Sequence, residues 1–264
     1  MAAVATVRDS AASGSHEVGG FGIDWAAVSD VGLVREANED AALVTDRRYL
    51  LADGMGGHDC GEIASEAALA ALGAVEPSDL TTTRDAVLDA LRTAAHDIGD
   101  IDSANGRRAG TTVTGALIVD YEGAPHWLVV NIGDSRTYRW SDAVIEQVTT
   151  DHSQVQELID AGHLTPEQAR VDPRRNVITR ALGAGMDAEA DFFVFPVVAG
   201  DVVLICSDGL TGELPDSELE EIIAERAATP ESLAAELVSA TLALGARDNV
   251  TVVVATVRRL GEED

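Results

Sequence analysis

The stretch that most limits what this chain can become is LLADGMGGHDCGEIAS, residues 50–65. An apolar run from Tyr49 to Ala52 stops at an acid, Asp53. Four glycines then fall within eight residues (Gly54, Gly56, Gly57 and Gly61), ahead of a helix-forming run from Ile63 to Leu72. Glycine permits positive φ and lets backbone amides and carbonyls approach a ligand closely. A strand, an acid and such a loop therefore suit something small and charged. Loop amides cradling a phosphate at a helix start are one reading. The loop holds no Lys, however, and carries Asp53, Asp59 and Glu62, which favours a cation. A tight surface turn accounts for the segment, taken alone, nearly as well.

Charge narrows the partners. Asp and Glu number 46 against 18 Lys and Arg, a net charge of −28. Like-sign repulsion at that level opposes nucleic acid and anionic membrane surfaces. It suits cation binding, solubility or a salt-adapted proteome, and a solvated acidic surface explains most of the excess. The 264 residues suffice for one large domain or two small ones. Cys60 and Cys206 lie far apart and give no disulfide framework, so a reducing cytoplasm is the expected compartment. Residues 1–20 lack the basic start and apolar core of a secretory leader. The longest apolar runs, such as VTVVVATV from Val250, are too short to cross a bilayer.

Along the chain, residues 1–20 are rich in Ala, Ser and Gly and are expected to be disordered. Residues 21–32 and 33–44 carry short β-like runs joined by polar turns, a hairpin is expected at Asp46, Arg47 and Arg48, and Tyr49 to Ala52 leads into the glycine loop. Helical periodicity covers 65–75 and 83–101, broken at Pro77 and Ser78. The segments 111–121, 126–140 and 143–150 read as an antiparallel meander. A polar, helix-leaning insert spans 151–183, with Arg170, Arg174, Arg175 and Arg180 in it. Strands at 191–198 and 201–209, helices at 217–227 and 230–244, and a strand at 249–257 complete the chain. This order predicts an α+β fold rather than alternating βαβ units.

Acids recur where apolar runs start or stop, next to Gly or Asn: Glu39 and Asp40, Asp53, Asp134, Asp208 and Asp248. Each alone is more often a turn residue, because Asp bonds its own backbone at strand ends. Gathered on one sheet rim, they would repel one another strongly unless cations intervened. Oxygen donors with no His or Cys at ligand spacing point to Mg2+ or Mn2+ rather than Zn2+.

The ordered set VREANED, ADGMGGHDCGEIAS, GTTVTGAL, VNIGDSR, VTTDHS, CSDGL and RDNVT resembles the metal-dependent type 2C (PPM) serine/threonine protein phosphatases, above all the bacterial members, over residues 21–257. The resemblance implies a four-layer αββα sandwich: two antiparallel sheets face to face, with helices outside. It divides the chain into an N-terminal segment 1–20, a catalytic domain 21–258 with a flap insert 151–183, and an acidic tail 259–264. It implies that Asp53 bridges two Mn2+ or Mg2+ ions and that the Gly54 carbonyl ligates one of them. Asp208 and Asp248 would complete the first site. Glu39 would serve the second, with Asp40 holding its water ligands, and Asp134 with Asp208 resembles the pair for a third ion. Arg35 matches the arginine that grips the substrate phosphate, a task suited to a bidentate guanidinium.

The implied reaction is hydrolysis of phosphoserine and phosphothreonine by a hydroxide bridging two cations about 3.5–4 Å apart. No covalent phosphoenzyme is needed. Expected partners are phosphoproteins made by a bacterial Ser/Thr kinase, acted on by a monomer. Eukaryotic relatives place a His directly after the Asp-Gly pair; here that residue is Met55, and His58 reads as a loop-packing residue. The arginines of the insert either steer phosphopeptide or balance an acidic surface. A carbonyl near Asn176 is a candidate contact to the third ion. Two other functions fit the same motifs: a non-catalytic phosphopeptide-binding domain, and a phosphatase specific for an anti-sigma-type regulator.

Overall fold

The computed structural model describes residues 5–56, 59–101, 108–226 and 229–261. In chain order, β1 (Ala5–Val7), β2 (Ala11–Val18), β3 (Phe21–Asp30), β4 (Asp40–Thr45) and β5 (Arg48–Met55) precede two helices, α1 (Asp59–Gly73) and α2 (Leu80–Gly99). Next come β6 (Gly110–Thr111), β7 (Val113–Tyr121), β8 (Ala124–Ile132), β9 (Arg136–Ser141) and β10 (Val144–Gln147). Two short helices, α3 (Gln154–Asp160) and α4 (Pro166–Val171), lead to β11 (Leu182–Gly183), β12 (Asp191–Pro196) and β13 (Val202–Cys206). The chain ends with α5 (Asp208–Thr211), α6 (Asp216–Arg226), α7 (Pro230–Leu244) and β14 (Val250–Arg259).

Strand alternation builds the layers, because successive side chains point to opposite faces of a sheet. On β14, Val253, Ala255 and Val257 face the other sheet, whereas Val250, Val252 and Val254 face α6 and α7. On β5, Tyr49 and Leu51 point between the sheets, while Leu50 and Ala52 point to α1 and α2. Both strands are buried on both faces, which is why they read as unbroken apolar runs. The first sheet runs β1-β4-β5-β7-β8-β12, with β6 and β11 attached at the end of β5. The second runs β10-β9-β13-β14-β3-β2. Every ladder between these strands is antiparallel. The result is the four-layer α+β sandwich. With few aromatics available, Tyr49 and Trp127 meet edge-on between the sheets at 5.4 Å.

Four expectations need correction. Residues 5–18 are strands, not a disordered leader: β1 pairs with β4 and β2 with β3, so edge pairing orders a segment whose small residues carry little pattern of their own. Residues 126–140 are not part of one meander. β8 belongs to the first sheet and β9 to the second, and the chain crosses between them at residues 133–135. Gly133 makes the crossing at φ 108°, where a Cβ would sit 2.6 Å from Cβ of Thr112, so no other residue fits. Residues 33–39 form a loop rather than a strand. Of the tail expected over 259–264, Arg259 still belongs to β14, and residues 262–264 lie outside the described residues.

The 151–183 insert carries α3 and α4. Thr165 and Gln168 form a reciprocal capping box at the start of α4. Thr165→Ala should cost about 1 kcal/mol, confined to this element. Amide hydrogen exchange that quickens over 166–171 and nowhere else checks it.

Candidate active site

Register brings the expected acids to one end of the sandwich. Asp40 opens β4 directly opposite Asp53 on β5. In the second sheet Cys206 pairs with both Arg136 and Val252, and Val250 pairs with Asp30. Asp134, Asp208 and Asp248, each two residues beyond a strand end, therefore leave that sheet at the same edge. They surround a cleft of about 620 Å3 lined by Arg35, Glu39, Asp53, Gly54, Asp134, Asp208 and Asp248, with Met55, Arg108, Asn176 and Asn249 among its other walls. Asp40 does not line the cleft; it is buried behind it, 1% exposed.

Backbone bonds hold each acid in place. The Asp53 carbonyl accepts from the Thr112 amide and the Thr111 hydroxyl, both at 2.9 Å, and its amide donates to Thr112 Oγ1 at 3.2 Å. Gly54 passes so close to its neighbours that a Cβ would lie 2.6 Å from the Glu39 carbonyl oxygen. The Glu39 amide donates to Asn249 Oδ1 at 2.9 Å, and Asn249 Nδ2 donates to the carbonyls of Val31 and Ala37, both at 3.0 Å. One asparagine beside Asp248 thus ties three backbone groups of the 31–39 loop together. Sequence reasoning gave roles to Asp248 but not to Asn249, although RDNV was in view. It also passed over His152, a buried residue that clasps the sheet crossing. His152 Nδ1 accepts from the Gly133 amide at 3.1 Å, its own amide donates to the Gly133 carbonyl at 2.9 Å, and Nε2 meets Asp191 at 3.1 Å. Arg108 was missed as well, although an Arg pair before a glycine strand is conspicuous in so acidic a chain. His58 lies outside the described residues.

Electrostatics mark the cleft as a place for cations. Burial, reinforced by neighbouring carboxylates, pushes Asp53 and Asp134 well above the usual carboxylate range. The same causes raise Asp40 to about 7 and Asp208 to about 6. Asp53 and Asp208 each act on the other's ionisation, with the Asp208 carboxylate among the charges that raise Asp53. Asp40 Oδ2 is buried with no hydrogen-bond partner among the described residues. Arg35 donates from Nη2 to Asp248 Oδ2 at 2.6 Å. Among the described residues no group of three His, Cys, Asp or Glu side chains stands ready to hold a metal ion. The chemistry of the donor set nevertheless fits hard divalent cations: oxygen donors only, several of them buried, each raising the cost of ionising the next.

Comparison with known proteins agrees with this arrangement. A family model described as Stage II sporulation protein E (SpoIIE) matches residues 143–258. The chain is 34% identical over 241 residues to the serine/threonine phosphatase stp of Listeria monocytogenes, covering 86% of this chain and 92% of that protein. It is 41% identical over 239 residues to the serine/threonine protein phosphatase PstP of Mycobacterium tuberculosis, covering 88% of this chain but 45% of that longer protein. Among solved structures, the catalytic domain of PstP in complex with two manganese ions superposes with a TM-score of 0.77 at 37% identity, covering 90% of this chain and 99% of that one.

Proposed function

We propose that this chain, which belongs to the PPM-type bacterial serine/threonine phosphatases and is a metal-dependent phosphoprotein phosphatase, gathers its cations between Asp53, Asp208, Asp248, Glu39 and the Gly54 carbonyl. The single observation that supports this assignment is the meeting of acids from both sheets, together with Arg35, around one cleft. Asp53 would serve both ions, Asp208, Asp248 and Gly54 would complete the first set, and Glu39, backed by Asp40, would complete the second. Asp134 and Asp208 would hold a third. When bound, such ions supply Lewis acidity to phosphoryl oxygens and bring the pKa of a water towards neutrality. Mn2+ and Mg2+ suit the donor set equally.

The chain's own residues do the rest. Arg35 is half exposed and engages Asp248 through Nη2, which leaves further guanidinium N–H donors for the oxygens of a phosphate monoester. The Asp248 bond fixes the guanidinium plane before substrate arrives. Met55 at the cleft wall carries no proton to give, so protonation of the leaving serine or threonine oxygen falls to solvent. Among the described residues no helix is long and apolar enough to cross a membrane. We infer a monomer acting in the cytoplasm on products of a Ser/Thr kinase.

The test is hydrolysis of p-nitrophenyl phosphate and phosphothreonine peptides by protein stripped with chelator. Turnover should appear only after Mn2+ or Mg2+ is added. Arg35→Ala should then raise KM about 10- to 100-fold, the worth of a charged hydrogen-bond pair. No turnover at saturating cation would overturn the assignment, and phosphopeptide binding without turnover would establish a non-catalytic binding domain instead. The second reading is a phosphatase dedicated to one regulatory phosphoprotein. Peptides left intact while one phosphoprotein is hydrolysed would select it.

A further inference from the structure

Residues 8–10 carry the chain from β1, at the edge of the first sheet, to β2, at the edge of the second. Register places this crossing at the end where the acids meet: Val7 pairs with Ala42, two residues from Asp40, and Ala11 pairs with Val28, two residues from Asp30. Arg8 is 18% exposed and turns its donors inward. Its Nε donates to the Asp40 carbonyl at 3.0 Å, and its Nη2 to the Glu62 carbonyl at 3.2 Å and to Ser65 Oγ at 3.0 Å. Nη1 meets the carboxylates of Glu62 at 3.2 Å and Glu66 at 3.3 Å. Ser65 Oγ in turn donates to the Glu39 carbonyl at 2.8 Å. From the other side, the Asp9 carboxylate accepts from Asn38 Nδ2 at 2.8 Å, and Asn38 Oδ1 accepts from the Asp40 amide at 3.1 Å.

We propose that Arg8 and Asp9 are positioning residues of the cation site, fixing the backbone at Asn38, Glu39 and Asp40 and with it the direction of the two carboxylates. The inference rests on the role given above to Glu39 and Asp40. Beyond the N-terminal turn, the irregular 31–39 loop is held by Asn249, by the Ala246 carbonyl accepting from the Leu33 amide, and by Ser29 Oγ, which shares Asn38 Nδ2 with Asp9 at 2.9 Å. Arg8 and Asp9 add the contacts from the β1–β2 side. Outer partners that orient ligands in this way tune metal affinity without touching the metal.

Calorimetric titration of Mn2+ into the metal-free full chain reads this without any turnover. Asp9 sits at φ 47°, a conformation that Asn and Gly both tolerate. Asp9→Asn therefore keeps the acceptor for Asn38, and Asp9→Gly removes it without strain. Arg8→Ala and Asp9→Gly should each weaken Mn2+ binding about 10-fold. Asp9→Asn should bind as wild type does, and kcat at saturating Mn2+ should hardly change in any of them. Should Arg8→Ala fail to fold, the Asp9 pair alone decides. Equal affinity in wild type and variants, or equal weakening in Asp9→Asn and Asp9→Gly, overturns the inference and leaves the assigned function standing. A wild-type chain that binds no Mn2+ removes the site assignment, and this inference with it.

Discussion

Asp53→Asn is expected to abolish phosphatase activity and, in the metal-free protein, to raise the melting temperature. Both effects follow from one position. Asp53 lies near the end of β5 at the centre of the acids: Asp40, Asp208, Asp134 and Asp248 all raise its pKa. Asparagine keeps the shape and the backbone bonds to Thr111 and Thr112, so the fold has no reason to fail. What it removes is the carboxyl whose ionisation burial and its neighbours oppose. Losing a single preorganised charge-stabilising group costs on the order of 100- to 1000-fold in kcat, and a residue shared between two cation sites should cost at least that. Stability moves the other way, since a buried carboxylate among carboxylates is a liability when nothing neutralises it. A gain of about 1 kcal/mol shifts the melting temperature of a chain this size by ~2–4 °C, which calorimetry in chelator will resolve. Retained turnover, or a metal-free variant less stable than wild type, would show that Asp53 is not the pivot of the cluster.

The acids were legible in the sequence because strand ends are legible. Each of Asp53, Asp134, Asp208 and Asp248 marks where an apolar run meets Gly or Asn, whereas β5 and β14, buried on both faces, read as unbroken apolar runs that show a strand but not which side chains face which layer. The convergence of the acids was not readable from any one motif, since register depends on which strands pair. Nor could the sheet crossing at Gly133 be read, because 126–140 holds no loop long enough to announce a change of sheet. The N-terminal strands escaped for a different reason. In AASGSHEV the half-buried positions are Ala12, Gly14 and His16, too small or too polar to show an apolar period, and their order comes from bonding to β3. Asn249 and His152 act through hydrogen bonds to backbone groups distant in sequence, and Asn38 through bonds to the side chains of Asp9 and Ser29; such bonds leave no periodic trace.

The cluster also fixes how stability should depend on pH, and the sign differs from the usual acid-denaturation curve. Asp40 titrates at about 7 and Asp208 at about 6 in the folded chain, against an ordinary value of 3.8, and Asp53 and Asp134 are raised as well. An acid whose folded pKa lies above its unfolded value binds more protons when folded, so stability falls as pH rises between the two. Metal-free protein should therefore lose stability steadily from about pH 4 to about pH 7. Its net charge of −28 adds self-repulsion in the same direction. Below that window the slope reverses, because acids held low by a partner, such as Glu213 bonded to Arg247, are then protonated. Cations invert the picture, since they bind only the deprotonated carboxylates. At a free concentration 100 times Kd, each site adds about 2.7 kcal/mol, so two filled sites raise the melting temperature by roughly 10–20 °C at this chain length. The expected result is a stability maximum near pH 4–5 in chelator that moves to pH 7–8 in Mn2+, with little gain from Mn2+ at pH 5. Thermal scans across this range, with and without the ion, measure it. A metal-free profile that is flat or rising between pH 5 and 8, or the same Mn2+ gain at both ends, would mean that the buried acids do not repel one another as their positions require.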